Sequence, residues 1–134
     1  MKVLLSILIV FCVLLPGLSQ ANTGGGEGGA SPYVALDPPF VVNIKASDRI
    51  HFLQIKSQVK VNNAEAAPIL QHHMAMVRHT LLMLFSQQEE KTIRTLAGKE
   101  TLRAESLTAL QEVLEEETGD SLVEQIYFTD FVIQ

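Results

Sequence analysis

The chain has 134 residues, 47% of them hydrophobic and 19% charged, with fifteen acids against ten Lys and Arg for a formal charge of −5. The bases lie scattered among acids, so nothing forms the basic stripe that nucleic-acid binding needs, and nucleic acid is excluded as a partner. A single cysteine, Cys12, leaves no disulfide framework to carry the fold.

The chain opens with Lys2, an almost wholly apolar run over residues 3–15, the breaker Pro16-Gly17 and the small-x-small triplet Ser19-Gln20-Ala21. This order predicts a secretory signal peptide over residues 1–21, cleaved after Ala21 and taking Cys12 with it. The rival reading, an uncleaved N-terminal membrane anchor, meets a run that ends at Leu15 or Leu18, short of the ~20 residues that span ~30 Å of hydrocarbon. Residues 22–134 suffice for one domain, since a chain of that size buries about two-thirds of its unfolded surface.

Residues 22–32 hold Gly24, Gly25, Gly26, Gly28 and Gly29 and no large apolar side chain. A flexible leader is expected, because burial there cannot offset the entropy of ordering. A phosphate loop is excluded, as the Lys-Ser/Thr pair is missing. The domain proper is expected over residues 33–134. Residues 33–36 predict a short extended piece before Pro38-Pro39, and Phe40-Val41-Val42-Asn43-Ile44 a first full strand. Residues 51–61 alternate, with Leu53, Ile55, Ser57, Val59 and Val61 on one face and Gln54, Lys56, Gln58 and Lys60 on the other. The two strands are expected to form a hairpin.

At Asn62-Asn63 the period changes from 2 to 3.6. A long helix is expected from Ala64 or Pro68, with Ile69, Met76, Val77, Leu81, Leu84 and Phe85 as its apolar stripe. Ser86 and Glu89 have capping-box spacing for a short helix toward Arg94. Residues 95–98 read as a junction, and a third helix is predicted from Lys99 to Thr118, closed by a left-handed Gly119. Its stripe is Leu102, Leu107, Leu110, Val113 and Leu114, while Glu112, Glu115, Glu116 and Glu117 form a solvated face. Residues 126–134 are dense in aromatic and β-branched side chains in both alternating rows, which predicts a strand buried on two faces. The order strand-strand-helix-helix-helix-strand gives a single α+β domain whose C-terminal strand joins the early hairpin under a helical cover.

His72, Met76, His79 and Met83, at helical spacing, form a candidate copper site for an exported protein. The blander reading is gap-filling methionine and solvated histidine. No nucleophile-elbow pattern, zinc-protease helix pair or paired carboxylates suggests catalysis, and Asp130 is expected at a water-facing edge. An enzyme is not expected, and no cofactor.

Residues 95–103, Thr-Leu-Ala-Gly-Lys-Glu-Thr-Leu-Arg, then an acid-rich helix and a closing Tyr-Phe-Thr-Asp-Phe-Val-Ile-Gln over 127–134, resemble the flagellar basal body-associated FliL family. The matching positions are Gly98, Lys99, Leu102 and Arg103, then Tyr127, Phe128, Thr129, Phe131, Val132 and Gln134. The resemblance implies a stomatin-like (SPFH-like) periplasmic domain at the inner membrane that assembles into homo-oligomeric rings. Such rings surround or support the stator units of the flagellar motor and aid motility and swarming. It implies that Gly98 is a close-approach or cap position between helices. Lys99 and Arg103, one turn apart, are expected to pair with Glu100 or with a partner's acids. By strict pleat alternation Phe128 and Phe131 face opposite ways, one toward the core and one toward a neighbouring subunit, against the plainer reading that both are core. Two departures stand out: the family has a true transmembrane helix where this N-terminus looks cleavable, and Arg78-His79 replaces the family's arginine-acid pair, which is expected to alter local ion pairing. A periplasmic adaptor that shares only the fold is the remaining alternative.

Overall fold

The structure is a computed structural model and describes residues 32–134. The expectations for the signal and for residues 22–31 lie outside the described residues. The elements run β1 (Tyr33–Ala35), β2 (Phe40–Ile44), β3 (His51–Val61), α1 (Ala66–His72), α2 (Met74–Ser86), α3 (Glu90–Ile93), α4 (Leu96–Thr118) and β4 (Val123–Ile133).

One antiparallel sheet is organised around β3. β1 and β2 pair with successive stretches of one edge of β3, and β4 pairs along the other. The predicted hairpin is present, with Phe40 opposite Ile55 and Ile44 opposite His51. The alternation read from sequence decides the faces: Leu53, Ile55, Ser57, Val59 and Val61 are buried. The helices cover that side alone, so the fold is α+β with the C-terminal strand in the sheet. Leu70, Val77, Leu81 and Phe85 meet Ile93, Leu102, Leu110 and Leu114 beneath it, all fully buried. Each such side chain contributes about 1.5–3 kcal/mol relative to exposure.

Several expectations need correction. Residues 33–35 form a true strand and the first helix is divided, so the order is three strands, four helices and a strand. The division falls at His73, whose N–H is shared between the carbonyls of Ile69 (3.2 Å) and Leu70 (3.1 Å), a tightened turn that re-aims the chain. Leu70 enters the core and Ile69 is exposed, because the helical face is set one residue later than predicted. Ser86 belongs to the end of α2, where its Oγ donates to Met83 O at 2.9 Å; no capping box forms, and α3 has no side-chain cap.

α4 starts at Leu96, not Lys99, because Thr95 caps it. The Thr95 Oγ1 accepts from Gly98 N at 2.9 Å and donates to Thr92 O at 2.8 Å. Its buried row steps by four residues, through Gly98, Leu102, Ser106, Leu110 and Leu114, with Leu107 and Val113 as half-buried flanks. Ser106 satisfies its hydroxyl on Leu102 O at 2.6 Å, which is why a serine can sit in that row. Gly119 closes the helix as predicted, at φ 82°. In the turn before α1 the Asn63 Oδ1 accepts from Ala66 N–H at 2.9 Å, while Glu65, the residue at the N-cap, makes no side-chain cap.

β4 departs most from expectation. It is buried on one face, not two: among the described residues it pairs only with β3, and no layer covers the outer face, where Tyr127 is exposed. An aromatic-rich edge strand gives the same dense apolar reading as a central one. Asp130 stands on the outer face opposite Lys56. Among the described residues no helix is long and apolar enough to cross a membrane.

Candidate functional site

The stretch around Gly98 and the closing residues of β4 lie far apart in sequence and meet in one groove. Its walls are Leu96, Lys99, Glu100 and Arg103 from α4 and Tyr127, Phe128 and Phe131 from β4, around a volume of about 320 Å³.

Gly98 sets the helix side. A Cβ there would stand 1.9 Å from Thr92 O, so only glycine lets α4 start against the turn that follows α3. The sequence placed Gly98 between helices; it lies within the first turn of α4, and the close approach is to backbone. Leu102, one turn on, is the buried anchor that fixes the helix on the sheet. Lys99 projects from the same end, its Nζ 4.9 Å from the Phe131 ring centre, an ammonium over a ring face. Arg103 donates from Nε to Glu100 Oε2 at 3.1 Å and from Nη1 to Gln125 Oε1 at 3.2 Å. The pairing with Glu100 is as expected, and the bond to Gln125 ties α4 to β4.

The strand side depends on a bulge. Lys56 pairs with Asp130 and Ser57 with Phe128, which leaves Thr129 unpaired. The extra residue resets the alternation, so Phe128 and Phe131 both face the helices; the expectation that they point to opposite faces is wrong. Phe128 packs edge-on to Phe85 with centroids 5.8 Å apart. Tyr127 faces outward beside Tyr33, at 6.1 Å. Val132 stands half-buried opposite Gln54, and Gln134 exchanges two backbone bonds with Phe52, at 2.8 and 2.9 Å. Since outward Tyr127 and inward Phe128 line the same groove, the groove follows the open edge of β4.

Sequence reading missed two polar ties. Among the described residues Arg78 makes no ion pair: its Nη1 donates to Leu36 O and Pro38 O, each at 2.7 Å, and its guanidinium lies 4.3 Å from the Phe40 ring centre. Elsewhere, His51 Nδ1 lies 2.7 Å from Glu90 Oε2, and Arg94 Nε donates to Glu90 Oε1 at 2.6 Å. Burial pushes the Glu90 carboxyl up, but hydrogen bonds from Arg94 and His51 outweigh it and hold it below its ordinary value. Only the Glu90–Arg94 spacing of four was legible as a helix pair. Beside them Lys45, Ser47, Glu89, Lys91 and Arg94 border a second hollow of about 510 Å³, of mixed charge.

The four copper candidates do not share one continuous helix. His72 ends α1, the turn at His73 separates it from the others, Met76 packs against the core, and Met83 is 50% exposed. Among the described residues no group of three or more His, Cys, Asp or Glu is placed to hold a metal ion.

The family model described as flagellar basal body-associated protein FliL matches residues 33–134, the span that contains both walls of the groove. The chain belongs to the FliL family. It is 31% identical over 99 residues to the flagellar protein FliL of Aquifex aeolicus (strain VF5), covering 74% of this chain and 59% of that protein. It is 30% identical over 102 residues to the flagellar protein FliL of Escherichia coli (strain K12), covering 76% of this chain and 64% of that one. The chain therefore spans about three-fifths of the length of these FliL relatives. The resemblance drawn from residues 95–103 and 127–134 is thereby shown.

Proposed function

We propose that this domain is a non-enzymatic component of the flagellar basal body, working in the periplasm at the inner membrane. In this reading it assembles as a homo-oligomeric ring around or against the stator units and supports motility and swarming. The observation that carries it is the FliL family match across the whole described domain. The helices on one face of an antiparallel sheet are consistent with a stomatin-like (SPFH-like) unit. The α4–β4 groove offers aromatic rings, an exposed leucine and two cations, the chemistry of a protein contact rather than of bond making. The N-terminal segment is either cleaved after Ala21, so that protein contacts alone hold the domain at the motor, or kept as a membrane anchor.

Deleting the gene and scoring swimming, swimming under viscous load, and swarming tests the proposal. Flagella should still be built while torque or swarming falls, and the tagged protein should co-purify with stator components. Normal motility under load without stator co-purification would assign the domain to a different periplasmic adaptor role. The mass of the protein in periplasmic and membrane fractions reads the N-terminus directly. No observation favours copper binding through His72, Met76, His79 and Met83.

A further inference from the structure

We infer that the open edge of β4, with the groove beside it, binds an extended, acidic segment of another protein by strand addition. The inference rests on reading the domain as a protein-binding scaffold, and it names the surface and the chemistry of the segment.

The backbone argument comes first. Phe52 and Gln134 exchange both of their hydrogen bonds, so by antiparallel alternation Ile133 and Phe131 direct N–H and C=O away from β3. Beyond the bulge Ser57 turns its carbonyl to Leu36 N on the opposite edge of β3, so its partner Phe128 also presents its backbone outward. An unpaired ladder of this kind is a template for another strand. It opens along the stretch that lines the groove.

The side chains agree with that pairing. A residue paired with Phe128 or Phe131 shares their face and points into the groove, toward Leu96, which is 78% exposed. Lys99 lies there against the Phe131 ring, and among the described residues no carboxylate stands within ion-pair distance of it, whereas Arg103 is already bonded to Glu100 and Gln125. The position therefore suits an Asp or Glu between apolar residues.

A second copy of this chain does not supply one. Of the acids on its strands, Glu124 is bonded to Lys60 and Asp130 faces outward opposite Lys56. The other described acids lie in helices or in the short connections between elements, not in an extended run. In the N-terminal stretch Glu27 stands between Gly26 and Gly28, without the apolar neighbours that the groove asks for on either side of the acid. The occupant is thus a different protein. The bulge at Thr129 interrupts long flat pairing, so the segment is short, about five residues.

The test is selection of phage-displayed random peptides on the purified protein, followed by synthesis and titration of the best binder. The expected binder alternates β-branched or aromatic residues with an Asp or Glu, and slows amide exchange at Phe128, Phe131 and Ile133. Lys99→Glu should weaken it about fivefold, the ratio for one exposed charge contact. A peptide with Lys in place of its acid should recover on that variant, and Lys99→Gln should repeat the loss. The inference is overturned if no peptide is enriched over an unrelated protein, or if binders ignore both Lys99 variants or shift amides of Val41 and Phe52 on the outer face. A strain with normal motility leaves this readout untouched. Failed selection beside a clear motor phenotype removes the groove assignment alone.

Discussion

Phe128 and Phe131, three positions apart on one strand, turn their rings to the same face with centroids 5.9 Å apart. Strict alternation forbids this, and unpaired Thr129 permits it. The bulge lets β4 present Ile126, Phe128, Phe131 and Ile133 to the helices on both sides of a register shift against β3.

Phe128 joins this pair to the core through Phe85. Phe128→Ala should lower stability by about 2 kcal/mol, below the 3–5 expected for a fully buried ring because Phe128 is half-buried. Deleting Thr129 should cost less, since it returns the strand to a period of 2 with Phe128, Phe131 and Ile133 still on the buried face and Asp130 still opposite Lys56. Urea unfolding checks both. A Thr129 deletion that costs more than Phe128→Ala would remove the bulge from the account.

Gly98 and Gly119 are both glycines for different reasons, and alanine separates them. In an ordinary helix turn Gly→Ala stabilises by about 1 kcal/mol. At Gly98 the new Cβ meets a backbone carbonyl that cannot swing aside, so Gly98→Ala should destabilise, by about 2 kcal/mol. At Gly119 nothing lies within 4 Å, and the cost is conformational, about 1 kcal/mol at φ 82°. Gly119→Asn should cost less than Gly119→Ala, because asparagine tolerates the left-handed region, whereas Gly98→Asn should be worse than Gly98→Ala. Thermal melts of the four variants give the order.

Arg78 fastens the segment between β1 and β2 to α2 with one nitrogen on two carbonyls and its guanidinium carbon over the Phe40 ring. Arg78→Met keeps much of the aliphatic packing and loses the charged hydrogen bonds, for an expected cost of about 2 kcal/mol. Arg78→Lys should recover only part of this, since an ammonium cannot reproduce the planar stacking. Because Arg78 holds the carbonyls of Leu36 and Pro38 in the connection that follows β1, proteolysis of the variants should open there first. Unchanged protease resistance in Arg78→Met would contradict the role.

How much of this was readable in the chain follows from what each feature depends on. β2 and β3 were legible to the residue, because one buried face imposes a period of 2 that ends where the polar turn begins. Gly119 was legible because only a left-handed closure asks for glycine there. The break at His73 was not, since Ile69 and Leu70 are both apolar and either can set the helical face. The bulge was not, since it is fixed by which residues of β3 lie opposite. The single covered face of β4 was hidden for a similar reason: aromatic residues on an edge strand look like those of a buried one. At the candidate site, both stretches could be picked out separately. That Lys99 stands over Phe131, and that Arg78 reaches carbonyls some forty positions away, are facts of tertiary placement.

Glu90 gives the domain a pH dependence whose sign is fixed. Its carboxylate takes His51 from the start of β3 and Arg94 from the end of α3, and it thereby ties the sheet to the short helix. Held below its ordinary value in the folded state, it stabilises fully above the unfolded pKa and loses that contribution as pH falls through the folded one. Glu90→Gln keeps the shape and removes the titration. At neutral pH the variant should be the less stable protein, and the difference should shrink as pH falls through the carboxylate range, since the parent then gives up what the variant never had. Urea midpoints measured for both proteins across that range are decisive. A gap that stays constant or widens toward acid would mean that Glu90 acts through packing alone.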